Sequence, residues 1–353
     1  MEARYGIRIC TRKIIDYMQD IVDKLLKSSE PSIRYKTLVN VLCESPSSKK
    51  IKTLRDEIKT SPRVKALLSR YKNGKIKGAR HLYEKWQGSH WIFASLADLC
   101  YPNADKFFIP MRDEVYDYWL NRGFYNEYET NRKTKVYGKS GVPLIAGRYR
   151  RCGSQQGNAL YSSIKLGLTD DRVHDLAERL IYWQWPDGGW NCDREPSADT
   201  SSFMETLIPM KGLYFYGKTF KKPKAVSAAK KAAEVFLTRK LFKRVTNNEV
   251  IHPEFTFLHH PLYWHYDILG GLKAMTEMNH IKDRRCGEAL DLLEDKQLKD
   301  GGFPSEKKYY KVGRSISPNT DYVDWGPTGK TKMNEWTTVD ALYVLRSAGR
   351  FKV

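Results

Sequence analysis

Cysteine is scarce in this sequence: six residues in 353 (Cys10, Cys43, Cys100, Cys152, Cys192 and Cys286), far apart and without a Cys-x-x-Cys pair. A disulfide framework or a zinc ribbon needs closer spacing, so the six read as reduced thiols. Long apolar runs are also missing, and no window reaches the roughly eighteen apolar residues of a helical membrane span. Met1 to Lys13 is charged and has no apolar stretch, so no secretory leader is expected there. These shortages together predict a cytoplasmic protein. The third shortage is of acid: 61 Lys and Arg face 41 Asp and Glu, giving a formal charge of +20. Such an excess concentrates anions near the surface, which admits phosphates, nucleic acid and peripheral contact with anionic membranes as partners.

Apolar and aromatic material is plentiful, at 41% hydrophobic with 22 Tyr, 13 Phe and 9 Trp, so a packed globular chain is expected. Its periodicity is helical. Between Ile14 and Leu26, apolar residues fall at Ile14, Ile15, Met18, Ile21, Val22, Leu25 and Leu26, the spacing of one helix face. Pro31 then stands where a first-turn proline belongs, and Ile33, Tyr35, Leu38, Val39 and Leu42 continue a second helix. Residues 46–80 are rich in Lys and Ser and carry shorter helical stretches, Ile51 to Ile58 and Arg63 to Tyr71. A boundary is therefore placed between an N-terminal helical segment, 1–80, and the remainder, 81–353.

From residue 81 aromatic-rich helices alternate with Gly, Asp and Pro turns, and a repeat emerges. Arg172 to Gln184 is helical and leads into Gln184-Trp185-Pro186-Asp187-Gly188-Gly189-Trp190; Arg284 to Gln297 leads into Gln297-Leu298-Lys299-Asp300-Gly301-Gly302-Phe303. Both copies share Gln-x-x-Asp-Gly-Gly-aromatic, and each is followed by another helix, Ser201 to Leu213 or Glu335 to Ala348. The glycines permit a tight reversal and the Asp bonds locally, so the unit is helix, Gly-rich turn, helix. Ser89 to Leu99, Gln155 to Leu166 and Tyr263 to Met278 fit the second half of the unit, making five candidate inner helices. The segments 121–151 and 304–333 lack sustained periodicity and are expected to be long loops.

The segment Gln184 to Trp190 resembles the QW motif of squalene and hopene cyclases, and Gln297 to Phe303 resembles the DGGF variant in protein prenyltransferase β subunits. The longer string Tyr182 to Asp193 is similar to squalene cyclase-like and prenyltransferase-like proteins. The resemblance implies an all-α fold, an α/α toroid of inner and outer helices around a central cavity, spanning about 81–353. It further implies an isoprenoid or other elongated apolar ligand, with or without diphosphate, and a transferase or terpenoid cyclase activity. The chain departs from that pattern in two places: it has neither the Asp-x-Asp-Asp acid motif of class II cyclases nor the Asp-x-Cys zinc pair of prenyltransferases.

Inner helices that run in one sense would bring their N-termini, with free N–H groups and positive dipole ends, to one mouth of the ring. His90, Trp91, Asn158, Glu205, His265, Tyr266, Asp267, Glu335 and Trp336 lie at those starts, and Trp264 closes the densest His and aromatic cluster, Leu258 to Trp264. Asp267 and Glu205, with His265, are the candidate acid/base set; helix caps are the structural alternative. Arg148, Arg150 and Arg151 precede one inner helix and are candidate phosphate ligands, against a solvated loop. Cys192, Asp193, His265 and His90 supply zinc-ligand types without supporting spacing, so the cofactor is left open and no metal site is assigned. Two other functions compete with the isoprenoid reading. One is a nucleic-acid-binding helical-repeat protein, since Pro31-Ser32-Ile33-Arg34-Tyr35 resembles a HEAT-type hairpin. The other is a carbohydrate-active α/α toroid, lyase or hydrolase, and a toroid scaffold without catalysis is a last reading.

Overall fold

A computed structural model describes residues 20–133 and 140–351. Ile14, Ile15 and Met18 of the first predicted helix lie outside the described residues; its remainder, 20–26, is helical and is α1. α2 (Pro31–Lys36) has Pro31 in its first turn and widens into a π turn over Thr37–Val41. α3 (Lys49–Lys59) and α4 (Pro62–Leu67) start on Ser48 and Ser61, whose hydroxyls accept backbone N–H groups that the helix leaves free. A hairpin of β1 (Tyr71–Lys72) and β2 (Lys75–Ile76) leads into the helical pairs.

Those pairs alternate in burial. α5 (Ser89–Asp98), α7 (Gly153–Lys165), α9 (Phe203–Thr219), α11 (Ile268–Glu277) and α13 (Glu335–Ser347) are buried over most of their circumference. α6 (Ile109–Trp119), α8 (Arg172–Tyr182), α10 (Pro223–Leu237) and α12 (Gly287–Glu294) interleave with them, and α8 buries a single stripe, Val173, Leu176, Ala177 and Leu180. A helix that is apolar all round belongs inside, and one with a single stripe belongs at the surface. The five buried helices coincide with the five predicted inner ones, with one shift. α11 starts five residues after Tyr263, because the Asp267 carboxylate caps the N–H of Gly270 at 2.7 Å and the preceding residues stay irregular. α5 packs on α7, α7 on α9, α9 and α13 on α11, and α13 on α2. The closest of these crossings is α7 on α9, where a Cβ added to Gly157 would lie 2.6 Å from the Pro209 nitrogen.

The segments expected to be loops contain short strands. β3 (Glu127–Glu129) runs parallel to β4 (Val142–Ile145), and β4 turns back antiparallel into β5 (Arg148–Tyr149). β6 (Lys311–Val312) pairs in parallel with β7 (Thr320–Asp321). Pieces of two to four residues are too short to show a two-residue alternation, which is why the sequence pattern missed them. The chain is helix-rich with a few short strands, and among the described residues no helix is long and apolar enough to cross a membrane. One continuous buried core runs from Ile21 to Phe351.

The two Gln-x-x-Asp-Gly-Gly-aromatic turns share their main bonds, though Asp187 accepts from Ser201 where Asp300 accepts from Gly302 within its own turn. Gln184 Nε2 donates to Gly188 O at 2.6 Å, and Gln297 Nε2 to Gly301 O at 3.0 Å. Trp185 N reaches Gly189 O, and Leu298 N reaches Gly302 O, both at 2.8 Å. Gly188 and Gly301 hold φ of 108° and 79°, which an L side chain resists. The aromatic residue then docks on the next buried helix, α9 or α13. Thr206 Oγ1 accepts from Trp190 N at 3.2 Å and Thr338 Oγ1 from Phe303 N at 2.8 Å. Each hydroxyl also faces the carbonyl of the same aromatic residue, at 3.4 Å and 3.2 Å. The glycines set the reversal, and a threonine four places past each helix cap anchors it.

Candidate ligand chamber and thiol cluster

The caps of α2, α5, α7, α9, α11 and α13 are Glu30, Gly88, Cys152, Ser202, Asp267 and Asn334. Six residues on from each cap stand Lys36, Ala94, Asn158, Ile208, Lys273 and Asp340. Equal count from the cap means equal depth along each axis, about 9 Å at the helical rise. Ala94, Asn158, Ile208, Lys273 and Asp340 line one cavity of about 100 Å³. Lys36 reaches that wall through ion pairs, 3.4 Å to Asp98 and 3.9 Å to Asp340.

The wall is charged. Lys273 lies 2.6 Å from Asp340 and 3.6 Å from Asp98, and Lys211 lies 3.1 Å from Glu277. The Lys36 and Asp340 side chains are 3% and 10% accessible, so these charges depend on one another for solvation. Burial alone would push the Asp98 and Asp340 carboxyls up, but Lys36 and Lys273 outweigh it and hold both below the usual carboxylate range. Burial lowers the Lys211 ammonium, against the pull of Glu277. Asp340 raises Lys273 well above an ordinary lysine despite its burial. Both carboxylates are therefore ionised at neutral pH and act as acceptors, without a proton to give.

The wall also carries aromatic rings, Trp91, Tyr161, Tyr263 and Trp325, with the Lys211 ammonium 4.5 Å over Tyr161. Tyr263 stacks on Trp86 at 3.8 Å and bonds through its hydroxyl to Asp321, which also accepts from Trp325 Nε1 at 2.8 Å. His260 lies flat against Trp336 at 5.0 Å, with its Nε2 3.9 Å from Asp98. Burial depresses the His260 imidazole to about 3, so it is neutral at physiological pH. Four buried polar atoms on chamber-lining residues have no hydrogen-bond partner in the protein: His259 Nε2, His260 Nε2, Thr337 Oγ1 and Asp340 Oδ1. Buried polar atoms are rarely left without a partner, so their convergence on one cavity marks it as a place for a polar occupant.

The predicted catalytic residues are dispersed. Asp267 is 1% exposed and accepts from Gly270 N and from His259 N at 2.8 Å, with His259 Nδ1 at 2.9 Å. It is a cap and a clamp for His259 at the chamber edge. His265 is stacked between Trp264 and Tyr309, at 4.0 and 3.7 Å, and burial lowers it to about 3. Glu205 accepts from Ser154 N at 3.0 Å, far along the chain from both. Among the described residues no hydrogen bond or ion pair joins any two of the three.

Of the predicted ligand-binding residues, Trp91 and Asn158 line the chamber. His90 sits behind them, 3.3 Å from Asn158 and accepting from Trp119 Nε1 at 3.0 Å. Trp336 backs the chamber through His260. Tyr266 is core, its hydroxyl on Leu241 O at 2.6 Å, and Trp264 covers His265 under the Lys85 ammonium at 4.8 Å. Glu335 accepts from Ser28 and ties the N-terminal segment to α13. The arginines are spent on the fold. Arg148 donates to Ala146 O, Arg150 to Ala198 O and Ile145 O, and Arg151 lies 4.4 Å over the Phe124 ring.

The residues missed from sequence are the chamber charges Lys36, Asp98, Lys211, Lys273 and Asp340, whereas His259 and His260 lie within the predicted cluster Leu258 to Trp264, which singles out neither. A signal existed for some of the charges, which interrupt apolar stretches of buried helices, as in Val339-Asp340-Ala341-Leu342.

At the cap end of α7 and α9 a second cluster gathers Cys152, Cys192 and Glu205, whose ligand atoms all lie within 4.8 Å of one another. Cys192 Sγ is 3.4 Å from Glu205 Oε1. Asp193, His265 and His90, named with Cys192 as zinc-ligand types, are outside this group. No protein family, curated protein or solved structure gives a significant match to the chain.

Proposed function

We propose that the chain is an α/α toroid whose central chamber binds a small polyhydroxylated, sugar-like ligand. Toroid closure is supported by Lys36, which bridges Asp98 on α5 and Asp340 on α13 and so links the first and last of the five predicted inner helices through α2. The sugar-like ligand is supported above all by four buried polar atoms without a hydrogen bond on residues lining a single cavity: His259 Nε2 and Thr337 Oγ1, and His260 Nε2 and Asp340 Oδ1, whose nearest ion-pair contacts are as long as 3.9 Å. Hydroxyl groups both donate and accept, which suits the neutral imidazole of His260 beside ionised carboxylates. Trp91 and Trp325 supply flat faces for the apolar side of a sugar ring. The ionised Asp98 and Asp340 offer no general acid, so the geometry favours binding and acceptor roles over glycosidic cleavage by a carboxylic acid pair.

An isoprenoid is the second reading, favoured by the apolar wall of Trp91, Ile208, Leu262 and Leu269 next to the Lys211 and Lys273 ammoniums, which would face a diphosphate. A cavity of about 100 Å³ suits it less well. Titration calorimetry with a panel of mono- and disaccharides, uronic acids, and geranyl and farnesyl diphosphates separates the two. A saccharide is expected to bind, with affinity reduced about tenfold or more in Asp340→Asn and Thr337→Val, the scale of a lost buried hydrogen bond. Prenyl diphosphate binding without saccharide binding replaces this reading with the second; binding that ignores both substitutions removes the chamber as the site.

A further inference from the structure

The second cluster lies apart from the chamber charges and carries chemistry of its own. Cys152 is the cap residue of α7, Cys192 follows the first Gly-Gly turn by two residues after Trp190, and Glu205 is in the first turn of α9. Three separate stretches of chain therefore converge. Each is held in place by bonds that do not involve the thiols. Glu205 Oε2 is fixed by Ser154 N at 3.0 Å, and Ser202 N bonds Trp190 O at 2.9 Å. Asn191 is tied to Thr200 O at 2.9 Å and receives Asp193 N at 2.9 Å. All three side chains are half-buried, so an ion could enter without being swamped by solvent.

We infer that Cys152, Cys192 and Glu205 form a binding site for a thiophilic divalent cation, Zn²⁺ in chemical class. Two sulfurs and one carboxylate oxygen within a single ion's reach match the soft and borderline ligands that zinc prefers over magnesium or calcium. Three protein ligands leave a fourth tetrahedral position for water or substrate, the arrangement of a Lewis-acid zinc instead of a closed structural one. Two thiolates and a carboxylate exceed the ion's charge by one. The start of α7, a helix of 13 residues, lies at the cluster, with Ser154 N on Glu205, and the Arg151 guanidinium is near enough to interact electrostatically with Cys152, Glu205 and Cys192; the helix dipole and this charge both offset that excess. The site does not depend on the identity of the chamber ligand.

The test uses the full chain, reduced and stripped with a chelator under anaerobic conditions, then titrated with Co²⁺ as a spectroscopic stand-in. A single equivalent is expected, with a thiolate-to-cobalt charge-transfer band, intense tetrahedral visible bands, and displacement by Zn²⁺. Cys192→Ser and Cys152→Ser should each weaken binding and cut the charge-transfer band to about half per bound cobalt, the double variant should remove it, and Glu205→Gln should keep it while weakening affinity about 10-fold or more. Cys286→Ser, outside the cluster, should change nothing. Circular dichroism verifies folding, and the rise in melting temperature of the unsubstituted chain on adding Zn²⁺ needs no variant. Cobalt bound without a thiolate band, or bound equally by Cys192→Ser, overturns the assignment. So does reduced protein that binds no cobalt, with a Cys152–Cys192 disulfide in material isolated without reductant.

Discussion

Lowering the pH from about 7 to about 5 should destabilise this protein steeply, because two fully buried imidazoles cannot take up protons without leaving the fold. Burial lowers His90 to about 3, and it lowers His260 to about 3 even with Asp98 pulling upward. The unfolded chain titrates them at the ordinary 6.5. The sign follows: between those values the unfolded state holds more protons, so stability is full above the unfolded pKa and drains away as pH falls toward the folded one. The linkage relation gives about 2 kcal/mol for each of these two histidines between pH 7 and 5, roughly 4 kcal/mol for the pair, and His265, less deeply buried but also lowered to about 3, adds with the same sign. That is a large share of a typical folding free energy of about 5–15 kcal/mol. Asp98, Asp340 and Glu277 are depressed below the carboxylate range, so their contribution is lost only at lower pH and does not enter this window. Chemical denaturation at a series of pH values measures the effect. His260→Asn should lose roughly a third to a half of the slope, since His90 and His265 still contribute, and so should His90→Gln, whose amide oxygen can still accept from Trp119. A flat profile in the unsubstituted protein, or an unchanged slope in both variants, would refute the assignment of these rings as buried and neutral.

Two further outcomes concern the repeat and its packing. Thr206→Val and Thr338→Val each keep shape but strand the N–H of Trp190 or Phe303, and each is expected to cost about 1–3 kcal/mol in denaturant melts. Similar losses at the two sites support the equivalence of the turns, whereas a loss at one site alone would separate them. Gly157→Ala forces a methyl to within 2.6 Å of the Pro209 backbone nitrogen, so α7 and α9 must part. A destabilisation of about 1–3 kcal/mol is expected, with no loss if the helices can slide apart freely.

The helical register of this protein was legible because it is written in long apolar periods and in two identical turns. Gln184 and Gln297 announced the hairpins, and the five buried helices fell where the pattern put them. The chamber was not legible in the same way. Its residues come in small groups from five helices and the loops between them, the groups separated by tens of positions, and only the three-dimensional packing aligns Lys36 with Asp340 and Lys273. Attention to helix starts selected Asp267, which is a cap, over Lys273, six positions further on. A cap carboxylate and a catalytic one look alike in sequence, since both precede an apolar helix. The cysteine cluster was hidden for the same reason: Cys152 and Cys192 are forty positions apart and meet only because the first Gly-Gly turn folds back onto α7. The short strands left no trace at all, being shorter than the period that would reveal them.

The constant count from cap to chamber constrains how such a chain can change over time. Inserting one residue between a cap and its wall position would swing the wall side chain about 100° around its helix and replace it with a neighbour. Loops between hairpins are free of that penalty and can lengthen at will. Exchanging the single letter at position 94, 158 or 208 would instead rewrite one sector of the chamber wall while leaving turns and caps untouched, whereas the charges at 36, 273 and 340 depend on one another and must change together. The chamber wall is thus altered by substitution at a few fixed sites, and insertions are confined to the loops.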